Sequence, residues 1–81
     1  MKKELLNETM MQENLALNLR FLRKTRKQPL SQKTLARLLH IPTKTIMNYE
    51  AGRTSPSAYT IYLLSNYFGF TMEELLLEKL Y

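Results

Sequence analysis

Thr43, Lys44, Met47 and Asn48 fall on one side of a short helical stretch when successive residues from Thr43 are turned by 100°. None of the four is acidic, and together they offer a cation, an amide, a hydroxyl and a soft thioether. Ile46 and Tyr49 lie on the opposite side and anchor the stretch inward, with Glu50 at the edge. A polar, adaptable, non-acidic face on a short helix flanked by bases has the chemistry to hydrogen-bond base edges in a DNA major groove.

Two elements must position that face. Ser31 is an N-cap, since its hydroxyl can accept from a free N–H of the first turn. Behind it Leu35, Ala36, Leu38 and Leu39 form an apolar arc, opposed by Lys33, Thr34 and Arg37. His40-Ile41-Pro42 ends this helix, because a residue preceding proline avoids the α region. Proline is then tolerated as the first residue of the next helix, and Gly52 closes that helix with a left-handed cap.

Upstream, Thr9-Met10-Met11-Gln12 fits a capping box, and Leu15, Leu19 and Leu22 recur as a core stripe. Arg23, Lys24, Arg26 and Lys27 close this helix, where cations suit its dipole. Leu17 and Phe21 lie off the stripe and either meet a neighbouring subunit or cover the turn near Pro29. Downstream, Ser57 caps a helix with Ile61, Leu64, Ser65 and Phe68 inward, and Gly69 ends it. Tyr59, Tyr62, Leu63 and Tyr67 read as a rim around a small core. Thr71 and Glu74 form a second capping box that opens a fifth helix running through LLLEKLY, docked by Met72, Leu75, Leu76 and Leu80. Leu77 and Tyr81 exceed what one domain buries; they are either a dimer surface or a frayed terminus.

Charge narrows the partner. The net charge is +5 over 81 residues. Between Asn14 and Phe70 nine bases stand against Glu50 alone, whereas the ends carry six acids against three bases. The positive field is therefore concentrated on the middle of the chain, as a polyanion-facing surface requires. Disulfides are excluded by the absence of cysteine, and His40 is the single histidine, so a metal centre is not expected. No apolar run approaches the roughly 18 residues that span a bilayer, and Glu4, Asn7, Glu8 and Thr9 break any signal-peptide core behind Met-Lys-Lys. A cytoplasmic, nucleoid-associated location is expected. So is the absence of enzymatic activity, cofactor and small-molecule ligand.

The ordered set Leu22-Arg23, Ser31-Gln32-Lys33-Thr34-Leu35-Ala36, Thr45-Ile46-Met47-Asn48-Tyr49-Glu50-Ala51-Gly52 and Ser55-Pro56-Ser57 resembles the Cro/repressor-type, or XRE, helix-turn-helix family, lambda-repressor-like, over roughly residues 15 to 76. The resemblance implies an all-α bundle of five short helices, with the helix-turn-helix formed by the second and third. Residues 1–12 read as an N-terminal extension, either disordered or an extra helical turn, and 13–81 as the single DNA-binding domain. The resemblance also implies an Arg23–Glu50 ion pair, and Glu50 is the one acid available in the basic half. It puts the first turn of the second helix, at Gln32, on a phosphate, which a free helix N-terminus favours.

The following helix is expected to enter the major groove N-terminus first. Lys44 would then donate to guanine O6 or N7, Asn48 would pair with adenine, and Met47 would touch a thymine methyl, with Thr43 beside them. Arg53, Thr54 and Ser55 are expected on phosphates, and Lys33 and Arg37 contribute diffuse field. The chain departs from the family pattern in three places. His40 stands where a glycine usually turns, Pro42 replaces the capping serine or threonine, and the loop around residues 28–30 is about two residues longer. The expected function is that of a homodimeric, sequence-specific transcriptional regulator, a repressor by occupancy of a promoter. The competing expectation is a protein-interaction module, an antitoxin or adaptor, using Leu17, Phe21, Leu77 and Tyr81.

Overall fold

Local capping divides the chain into helices, and the computed structural model describes them over residues 6–81. Helix α1 spans Glu8–Lys24, α2 Gln32–Leu39, α3 Thr43–Glu50, α4 Ala58–Phe68 and α5 Met72–Leu77. No strand occurs among the described residues. Helix α1 packs against α3 and α5, α2 against α3, and α4 against α5. Their apolar faces meet in one core in which Leu15, Leu19, Leu35, Ile46, Leu64 and Leu75 are fully buried.

The start of α1 corrects the expectation at Thr9. Asn7 is the cap, and its Oδ1 accepts from the Met10 N–H at 2.8 Å. The helix therefore begins at Glu8, and the Gln12 amide is used elsewhere. Its end is also earlier than expected. Thr25 sends both its N–H and its hydroxyl to the Phe21 carbonyl, at 2.9 and 2.7 Å. A threonine hydroxyl competing for a helix carbonyl favours termination, so Arg26 and Lys27 lie in the loop beyond.

Ser31 caps α2 through the Thr34 N–H at 3.0 Å, and His40 closes it at φ 56°. The His40 and Ile41 N–H groups bond back to Arg37 and Ala36, a Schellman closure that usually takes glycine. Leu38 does not join the core: it stands beside Thr34 at the edge of the arc and is half-exposed. Pro42 is the N-cap of α3 rather than its first residue, and it supplies no side-chain cap. Gly52, at φ 67°, ends α3 with a second Schellman pair, Gly52 to Tyr49 and Arg53 to Asn48.

Ser57 caps α4 through Thr60, and Gly69 ends it. Thr71 and Glu74 form the expected capping box of α5, at 2.8 and 2.9 Å. This helix stops at Leu77, however, and the chain leaves extended from Glu78. Two asparagines one turn apart on α1 hold that exit. Asn14 Nδ2 donates to the carbonyls of Leu76 and Glu78, and Asn18 Nδ2 to those of Leu75 and Glu78. Asn18 Oδ1 accepts from the Leu80 N–H at 2.9 Å. Asn18 is 0% exposed, and every polar atom of its side chain is satisfied. Leu75, Leu76 and Leu80 dock this end, while Met72 is exposed and takes no part.

Candidate nucleic-acid interface

The outward face of α3 is built by what holds its back. Ile46 and Tyr49 are buried in the core, so the helix cannot roll without exposing them. Lys44 and Met47 then project into solvent, and Thr43 and Asn48 lie half-exposed beside them. Among the described residues the side chains of Thr43, Lys44 and Asn48 have no hydrogen-bond partner. All four residues expected to meet bases thus share one accessible face.

A buried ion pair fixes the tilt of that helix. Arg23 Nε donates to Glu50 Oε2 and Nη2 to Oε1, both at 2.7 Å, with the two side chains 9% and 5% exposed. The Glu50 hydrogen bonds raise the Arg23 pKa; desolvation opposes the rise and the carboxylate charge adds to it. The third arm, Nη1, donates to the Leu30 carbonyl at 2.8 Å, while the Leu30 N–H bonds back to the Arg23 carbonyl at 3.1 Å. Arg23 therefore settles the path of the longer loop, whose Leu30 packs on the core.

Gln32 meets this pair differently from a side chain reaching for phosphate. Its Nε2 donates to Glu50 Oε1 at 3.1 Å. The backbone N–H groups at the start of α2, at Gln32 and Lys33, are left without a protein partner among the described residues. Arg53 and Thr54 are exposed in the turn after α3. The Ser55 hydroxyl is already engaged, donating to Glu8 Oε2 at 3.0 Å and accepting from Gln12 Nε2 at 2.8 Å. A polar crevice of about 490 Å³ runs along this side, lined by Arg20, Arg23, Gln32, Met47, Glu50, Ala51 and Arg53. Arg20, one turn before Arg23, was not singled out from the sequence; its spacing from Arg23 is the signal that could have found it.

On another face Leu17, Leu77 and Tyr81 line a groove with Leu6 and Met10. Leu17 is 50% exposed there, so it does not cover the turn near Pro29, and Phe21 continues the apolar line one helical turn on. Of the rim tyrosines, Tyr59 and Tyr62 are exposed, whereas Tyr67 packs on the core under the Arg26 guanidinium, 4.7 Å from its ring centroid. No helix among the described residues is long and apolar enough to cross a membrane.

Two short helices joined by a tight turn, the second presenting a free polar face within a cationic surround, define a helix-turn-helix domain of the DNA-binding, transcription-regulator type. A sequence model described as helix-turn-helix matches residues 19–75, and the chain belongs to that family, in its XRE or Cro/repressor branch. No curated protein and no solved structure matches the chain.

Proposed function

We propose that this protein is a sequence-specific transcriptional regulator that binds double-stranded DNA as a homodimer, with α3 in the major groove, and represses by occupying a promoter. The observation that carries the reading is the unpartnered face of Thr43, Lys44, Met47 and Asn48 on a helix locked from behind. Lys44 reads guanine, Asn48 adenine, and Met47 a thymine methyl, with Thr43 at the entering end. Phosphates are held by the free backbone N–H groups at Gln32 and by Arg53 and Thr54. Ser55 joins them only by exchanging Glu8 for a phosphate oxygen. The protein works on the nucleoid in the cytoplasm.

The groove of Leu17, Leu77 and Tyr81, extended by Phe21, supports the dimer contact. A symmetric pair would place two half-sites about one helical turn apart. The same groove also favours a second reading, in which the chain is an antitoxin or adaptor that grips a protein and DNA is secondary.

Selection from a random-sequence duplex pool decides between them. A recovered palindromic site, footprinted as two half-sites, is the expected result. Failure to enrich any sequence would remove the sequence-specific reading, and a single protected half-site would remove the dimer. Salt dependence separates the classes: six or more phosphate contacts cost on the order of a thousandfold in affinity between about 50 and 200 mM salt, and a flat response favours the interaction module.

A further inference from the structure

We infer that Arg20 and Arg53 together form a seat for one DNA backbone phosphate, at the mouth of the crevice between α1 and the end of α3; the inference rests on the DNA-binding reading above. Both arginines line the same crevice although they stand 33 positions apart in the chain. Its floor is the Arg23–Glu50 pair, and the carboxylate there is already spent. Oε2 accepts from Arg23, and Oε1 accepts from both Arg23 and Gln32. Glu50 is thus held by Arg23 and Gln32, and neither Arg20 nor Arg53 pairs with an acid among the described residues. Three guanidinium groups against one carboxylate leave an excess of two positive charges in a polar recess.

Such an excess of positive charge favours an anion. Guanidinium groups suit phosphate because their planar donors match its oxygens. Met47, on the outward face of α3, forms part of the same wall, so the recess opens toward the side on which bases would be read. A phosphate seated there would index α3 along the groove while carrying no sequence information itself.

The test uses the full chain and a mixed-sequence DNA duplex, with affinity measured against salt by fluorescence anisotropy. Each neutralised phosphate contributes about 0.9 to the slope of log affinity against log salt. Arg20 and Arg53 are exposed, so Arg20→Gln with Arg53→Gln should leave the far-UV circular dichroism and melting midpoint unchanged. The double variant is expected to lose about 0.9 from the slope, one phosphate's worth. The Arg20→Lys, Arg53→Lys chain keeps both charges and should keep the slope. A loss near 1.8 would mean two separate phosphates and overturn the shared seat. An unchanged slope in the glutamine double variant, with a steep wild-type response, would overturn the seat while leaving DNA binding intact. A flat wild-type response would refute the DNA reading itself.

Discussion

Replacing Glu50 with alanine tests whether α3 is held electrostatically from behind. The substitution leaves the Arg23 guanidinium, 9% exposed, without its two carboxylate bonds and strands the Gln32 amide. Breaking a buried pair from one side costs about 3–5 kcal/mol, against about 0–1 kcal/mol for an exposed pair. At about 4–8 °C per kcal/mol for a domain of this size, the melting midpoint should fall by at least about 12 °C. Urea titration and thermal melts followed by far-UV circular dichroism give the number. The companion variant, Arg23→Met with Glu50→Leu, removes both charges and should recover most of the loss, because no uncompensated charge stays buried. The raised Arg23 pKa adds a sign. Stability from the pair is fully present below the unfolded arginine value and fades only as pH rises through the higher folded one, so the difference between wild type and Glu50→Ala should stay constant across neutral pH. A loss below about 1 kcal/mol for Glu50→Ala would refute the argument, since that is the behaviour of a solvated surface pair.

Lys44→Ala should cost roughly 1–3 kcal/mol on the selected site and relax preference at one base pair; uniform weakening across sequences would make Lys44 a phosphate contact only. Asn18→Ala leaves the Leu75 carbonyl and the Leu80 N–H short of a partner and takes one of the two asparagine donors from the Glu78 carbonyl. It should destabilise by roughly 3 kcal/mol and speed amide exchange at Leu80, with an unchanged Leu80 rate counting against the staple. His40→Gly should stabilise by about 1 kcal/mol in denaturant titration, because glycine enters the left-handed region without the Cβ penalty carried at φ 56°. Leu17→Glu should abolish the proposed homodimer in sedimentation equilibrium without lowering the melting midpoint of the fold; a dimer that persists in the variant would move the contact elsewhere.

What could be read from the sequence was what neighbouring residues decide among themselves. Ser31, Ser57 and Thr71 cap helices through residues three positions on, so their helices were visible before any tertiary contact was known. The outward face of α3 followed from the period of Ile46 and Tyr49. Long-range polar contacts were not visible. Asn14 and Asn18 look like ordinary helix residues until the backbone some 60 positions later arrives, and that meeting ends α5 at Leu77. An asparagine set between Leu15 and Leu22 on the core stripe was the available warning. The engagement of Ser55 with Glu8 and Gln12 was hidden for the same reason, because the partners lie 47 and 43 residues away. Leu38 and Met72 were misplaced because apolarity alone does not tell the rim of an arc from its centre.

One guanidinium at Arg23 fastens the linker carbonyl of Leu30 and the final turn of α3 to the same post. The linker is therefore not free to lengthen or shorten as an idle strap would be. A residue added or removed there would tug on the carboxylate that sets the pitch of α3, and so on the angle at which its outward face would meet DNA in the proposed complex. Under the proposed function, alterations in the linker would in this way retune which sequences are bound, with Thr43, Lys44, Met47 and Asn48 left in place.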